Sequence, residues 1–159
     1  LPYTLRILGV FEVTYPILAL NLTVYAYTAI LSGNFMVISS DVLSQYGQSN
    51  YLVINGFYWR LFTAMFAHTN IVHLVVNMLF LIIFGLRAEE LFSITEYLTT
   101  YLLSGLVGNL LTLLLGLTGF PGASGAIFSL CGACVTGLLI GYGLASKPGN
   151  KTTRHCQTV

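Results

Sequence analysis

The sequence predicts an all-α fold, a polytopic bundle of transmembrane helices, and three observations lead there. Of its 159 residues, 56% are hydrophobic and only 7% are charged, more apolar surface than one water-soluble domain of this length could bury. The six basic and five acidic residues fall in clusters along the chain. The uncharged gaps between those clusters have the length of roughly 20 residues that a bilayer-crossing helix needs.

Each span follows from such a gap. Between Glu12 and Asp41 there is no charge, and YPILALNLTVYAYTAIL within that gap predicts a first span at 13–32. From Arg60 to Arg87 the only ionisable side chains are His68 and His73, and IVHLVVNMLFLIIFG predicts a second at 70–87. The gap from Glu96 to Lys147 holds two crossings, at 96–117 and 123–145, separated by GLTGFPGASG, whose glycines and Pro121 end helices. The connection 33–69 is long for an idle loop. Its Tyr, Phe, Trp, Val and Ile mixed with Ser and Asn suit a segment lying in the headgroup region, the alternative being a solvated surface loop.

Orientation follows from the basic residues. Arg6 precedes span one, Arg87 follows span two, and Lys147, Lys151 and Arg154 follow span four. An even number of crossings puts them all on one side, the cytoplasm, with the tail 146–159. The loop 33–69 and the turn near Pro121 then lie outside. No cleavable signal peptide is visible, and the lack of an initiator Met is what a piece of a longer gene product would show.

Several function classes fall away. A net charge of +1 gives no reason to expect nucleic acid as partner. Three cysteines cannot frame a disulfide-rich secreted fold. Cys131 and Cys134 form a CxxC inside span four, where packing is expected rather than a redox or zinc site, and Cys156 with His155 lies toward the other membrane face. No metal and no cofactor is expected. The sequon at Asn21 is inside a span and that at Asn150 is cytoplasmic, so neither should carry glycan.

The polar residues within the spans carry the functional information. His73 and Asn77 are four apart and share one helix face. Either they hydrogen-bond neighbouring helices, worth about 0.6 kcal/mol on average, or they mark a site, because an ionisable side chain in a span faces the bundle interior or a wet cavity. Asn109 in span three has no such companion and reads as a structural hydrogen-bonder. In span four, Gly125, Ser129, Ala133, Gly137, Gly141 and Ala145 recur every four residues, and Ser104, Gly108, Thr112 and Gly116 do so in span three. Such faces let helices approach backbone to backbone, which predicts a central, closely surrounded span four. Ser124 stands at its outer N-terminus, where free N–H groups and the helix dipole favour a developing negative charge. It is either an N-cap for those N–H groups or a nucleophile.

Taken together, YWRLFTAMFAHTNIVHLVVNMLFLIIFG, followed at the start of span four by GASGAIF, resembles the rhomboid family of intramembrane serine proteases from Trp59 to about Gly141. Three features carry the likeness: Trp59 with Arg60 in the first loop, His73 with Asn77 in span two, and the Gly-x-Ser-Gly of Gly122 to Gly125. The last alone is weak; the three in this order are specific. The resemblance implies a rhomboid-like bundle with four of an expected six spans, and a serine endopeptidase cutting transmembrane helices of membrane-protein substrates in the lipid bilayer. A multi-pass protein of the plasma membrane is expected. Ser124 would be the nucleophile, and its N–H with the side chains of His73 and Asn77 would hold the oxyanion.

Two departures accompany the likeness. The family draws its general base from a histidine two helices after the serine, and this sequence reaches Val159 just after span four. His73 falls at the oxyanion position, His68 in the approach to span two, and His155 across span four from Ser124, roughly 30 Å away. None matches the base. The 159 residues are therefore expected to be inactive alone, as a fragment lacking two spans or as a truncated, inactive relative. Phe128, one turn after Ser124, stands where many rhomboids have a tyrosine packed on the catalytic histidine; the ring is kept and the hydroxyl is not. The alternative readings are a pseudoprotease that binds client transmembrane helices and a transporter piece in which His73, Asn77 and Asn109 line a pathway. The latter would favour an inverted repeat of broken helices, and none is visible.

Overall fold

The computed structural model describes residues 13–116 and 122–145, with the side chains of the last helix described through 139. Arg6, Pro121, Lys147, Asn150, Lys151, Arg154, His155 and Cys156 lie outside the described residues, as do the surroundings of Gly141 and Ala145. Four long helices, α1 (Thr14–Ser32), α5 (Ile71–Leu91), α6 (Ile94–Leu114) and α7 (Ser124–Ala145), form the bundle. Three short ones, α2 (Ser40–Tyr46), α3 (Asn50–Ile54) and α4 (Arg60–Thr63), lie between α1 and α5. Among the described residues the only β pairing is an isolated antiparallel bridge between Val37 and Asn70.

The long helices are apolar outside, and several of their polar side chains are buried within an otherwise hydrophobic core. Val72, Val75, Leu79 and Ile83 of α5 and Leu103, Val107, Leu110 and Leu114 of α6 are exposed, whereas Thr14, Asn21, Thr28 and Asn77 are buried. That distribution is costly in water and favourable in hydrocarbon, where backbone polar groups are satisfied inside helices and polar side chains turn inward. Helices α1, α5 and α6 are each long and apolar enough to cross a membrane. Helix α7 has 22 residues, and its described part, Ser124–Leu139, is likewise apolar.

The helix ends differ from the predicted spans by a few residues. Helix α5 continues one turn past Arg87 to Leu91, and that last turn closes off another helix. Its Glu89 Oε1 accepts from the backbone N–H groups of Val13 at 3.0 Å and Thr14 at 2.5 Å. A carboxylate thus satisfies the open N-terminus of α1. A capping box of Ser93 and Glu96 starts α6 two residues after α5 ends. Helix α6 ends at Leu114, and Gly116 follows with φ 65°, a left-handed stop that glycine adopts without strain. Gly116 therefore ends the small-residue face of span three rather than extending it.

Helix α7 packs along α6 and α5, and α1 packs chiefly on α5. The two small-residue faces do meet: a Cβ on Gly125 would lie 3.9 Å from the Ser104 carbonyl oxygen, and one on Gly108 would lie 4.0 Å from Gly125 Cα. The expectation of a closely surrounded α7 holds only toward these neighbours. Phe128, Val135 and Leu139 form an exposed stripe on another side of the helix, because no described helix covers it. At Gly85 a Cβ would stand 2.7 Å from the Tyr97 hydroxyl and 2.8 Å from Thr14 Oγ1. The glycine lets these two groups, from α6 and α1, hydrogen-bond at 3.2 Å across α5.

The connection between α1 and α5 is folded, not idle. Arg60 is buried, and its Nη1 donates to the carbonyls of Ser44 at 2.7 Å and Gly47 at 2.9 Å, at the C-terminal end of α2, where a cation is favoured. Its guanidinium lies 5.0 Å from the Trp59 ring centroid, a cation–π distance. Asn109 of α6 holds the same segment. Its Nδ2 donates to the Leu61 carbonyl at 2.7 Å, and its own carbonyl accepts from Gln48 Nε2 at 2.9 Å. Phe35, Met36, Tyr51, Phe57, Tyr58, Trp59 and Phe62 remain exposed.

Candidate active site

The site is assembled where α5 and α7 begin. Asn70 caps α5, its Oδ1 accepting from the backbone N–H of His73 at 2.8 Å. The backbone around the cap is held by the loop: Ile38 N donates to Thr69 O at 2.9 Å, and Ile71 N to Met36 O at 3.1 Å. His73 is thereby fixed in the first turn. Its ring lies against Gly122, where a Cβ would stand 2.8 Å from His73 Cε1 and 3.1 Å from Nε2. Only a residue without a side chain leaves room for the imidazole there.

Ser124 is the first residue inside α7. The carbonyl of Ala123, its predecessor, takes the helical bond from Ile127 N at 3.0 Å, so Ser124 is not the cap residue. Among the described residues its hydroxyl makes no hydrogen bond. Ser124, His73, Thr69 and Asn70 wall one cavity of about 530 Å³. No hydrogen bond joins Ser124 to either described imidazole.

The other predicted residues lie around this cavity rather than in its wall. Asn77 is buried one turn deeper on α5, about 6 Å along the axis, and its Nδ2 donates to the His73 carbonyl at 3.0 Å. Gly125 is at the α6 contact. Phe128 is 65% exposed, its ring centroid 6.4 Å from that of Phe80. Trp59 and Arg60 brace the loop and do not line the cavity.

Sequence reasoning passed over Thr69, Asn70 and the placement of His68. Asn70 carried a readable signal, an asparagine immediately before an apolar helical run. His68 carried none. It is completely buried, and its ring meets that of His73 edge to face, with centroids 5.3 Å apart. Its Nδ1 is 3.2 Å from the Phe66 carbonyl; a carbonyl only accepts, so Nδ1 carries the proton and Nε2 is bare. Nε2 has no partner among the described residues.

Burial, helped by the neighbouring His73, pushes the His68 pKa down to about 4 from 6.5. The unfolded chain therefore takes up a proton that the folded chain refuses until the pH is far lower. The neutral ring's contribution to stability is complete above about pH 6.5 and is lost as the pH falls toward 4. The thermal midpoint in detergent should drop between pH 7 and pH 5, and His68→Gln should flatten that dependence. An unchanged slope in the variant would assign it to another group.

A bundle with apolar outer faces, and with a cavity walled by an imidazole and by a serine hydroxyl unbonded among the described residues, defines an integral membrane protein with a candidate site between its helices. The chain belongs to the rhomboid family: residues 55–148, more than half of it, match the model of the Rhomboid domain. It is 36% identical over 121 residues, 74% of this chain, to RHOMBOID-like protein 6, mitochondrial, of Arabidopsis thaliana. It is 43% identical over 75 residues, 46% of this chain, to Rhomboid-like protease 3 of Toxoplasma gondii. To Rhomboid protease GluP of Bacillus subtilis it is 31% identical over 121 residues, 76% of this chain. The matched regions span 39%, 28% and 23% of those three relatives. No solved structure matches the chain.

Proposed function

We propose that this chain carries the nucleophile and oxyanion donors of a rhomboid-type intramembrane serine endopeptidase, with the general base on a histidine outside these 159 residues. The observation that carries the reading is the Ser124 hydroxyl, without a hydrogen bond among the described residues, in the cavity whose wall includes His73. Ser124 Oγ attacks the scissile carbonyl carbon and gives its proton to the base. The resulting oxyanion accepts from Ser124 N–H and from His73, and Asn77 contributes the amide N–H that it does not spend on the His73 carbonyl. Phe128, exposed one turn into α7, offers its ring to the incoming imidazole. The substrates are transmembrane helices of other membrane proteins, cut near the outer face, where the loop 33–69 lies and water reaches Ser124.

The expected plasma membrane draws no support from these relatives, one of which is named as mitochondrial; microscopy of a tagged chain tests it directly. A second reading, a pseudoprotease that binds transmembrane helices without cutting them, is favoured by one observation: no described imidazole bonds Ser124. The full-length protein in lipid vesicles, given a fluorescent single-span substrate, separates the two. Cleavage is expected, with Gly122→Ala lowering kcat by about 10² to 10³ because the new methyl displaces His73. Binding without cleavage would favour the pseudoprotease.

A further inference from the structure

We propose that Thr69, oriented by Asn70, decides which ring nitrogen of His73 carries the proton, and is thereby a positioning residue for the oxyanion donor. This rests on the protease reading only for its kinetic consequence.

The contacts of Asn70 determine the orientation of its own amide. Its Oδ1 accepts from the His73 backbone N–H at 2.8 Å, so its NH₂ must face the other way, toward Thr69 Oγ1 at 3.2 Å. An amide NH₂ can only donate, so one lone pair of the Thr69 hydroxyl is occupied. His73 Nδ1 lies 3.4 Å from the same oxygen, and among the described residues no other group bonds it. The hydroxyl has one proton to give, and Nδ1 is the acceptor offered. Accepting it requires Nδ1 to be bare, which leaves the imidazole proton on Nε2. Nε2 is the nitrogen on the Gly122 side, 3.1 Å from where a Cβ there would stand.

The chain of bonds therefore runs from Asn70 NH₂ through the Thr69 O–H to His73 Nδ1, and it aims an N–H toward the end of the cavity that Ser124 shares. With the opposite tautomer, Nε2 would present a lone pair to the developing oxyanion, repelling the charge it should stabilise. The relay is also held in register. The Thr69 carbonyl is bonded by Ile38 N, and the Val37–Asn70 bridge pins the loop across the start of α5. His68 packs on the His73 ring but takes no part in the relay, since its one N–H is committed to Phe66 O.

The test measures tautomer and turnover separately, on the full-length protein in nanodiscs. Nitrogen-15 NMR of labelled histidine should show His73 as the Nε2–H tautomer in the wild type and in Thr69→Ser, which keeps the hydroxyl. Thr69→Val, nearly isosteric but unable to donate, should shift His73 toward the Nδ1–H form. Its kcat should fall by on the order of 10² with KM unchanged, as for a donor that acts only in the transition state, and Thr69→Ser should restore the rate. A wild type in the Nδ1–H form, or a Thr69→Val protein that keeps Nε2–H, would overturn the inference. A tautomer shift in a protein that cuts nothing would uphold the inference and refute the protease reading instead.

Discussion

Ser124→Ala should abolish both cleavage of a transmembrane substrate and labelling by a fluorophosphonate probe in the full-length protein, while leaving the fold unchanged. Loss of the nucleophile from a serine hydrolase costs on the order of 10⁶ in kcat, far more than any donor around it. The structure also separates this effect from a folding defect. A serine that capped α7 would take stability with it, but here Ala123 precedes the helix, and the Ser124 hydroxyl has no described partner to lose. Alanine at the first helical position is a good helix former. The thermal midpoint of the variant should match the wild type, and residual cleavage at the wild-type rate would remove Ser124 from the mechanism.

The second large effect concerns the base. Expressed alone, the 159 residues should show no Ser124-dependent cleavage, because neither described histidine bonds the Ser124 hydroxyl. His73 must keep its Nε2 proton to act as an oxyanion donor. His68 is wholly buried, bonded to the Phe66 carbonyl, and not among the residues that wall the cavity. General-base help is worth about 10² to 10⁴ in rate. Activity should return when a polypeptide carrying the further helices and histidine base proposed above is co-expressed, and a Phe128→Ala change should weaken that rescue. Robust cleavage by the 159 residues alone would make His73 or His68 the base.

The long helices were legible because bilayer thickness imposes a length and excludes charge, and both leave marks in a single sequence. Ser124, His73 and Asn77 could be picked out because polar groups are conspicuous against apolar runs. The environment of the site was not legible. Thr69 falls between helices, where nothing in composition tells a wall residue from a spacer; Asn70 is readable as a helix cap but not as cavity wall, and their bonds to His73 depend on a loop pairing at Val37. The role of the last turn of α5 was not legible for a related reason. Arg87 looks like the membrane boundary, but Glu89 is recruited by α1, a partner too distant in sequence for any periodicity to reveal. Small-residue spacing foretold the meeting of α6 and α7, yet it could not say that Gly116 would serve as a stop.

That glutamate has a consequence for how the protein is made. Thr14 and Glu89 are separated by 75 positions, so a ribosome finishes α1 and the whole segment that joins it to α5 before the cap for α1 exists. Until the last turn of α5 has been made, the amides of Val13 and Thr14 lack this carboxylate. Capping of α1 by Glu89 therefore follows synthesis of the segment that bears His73.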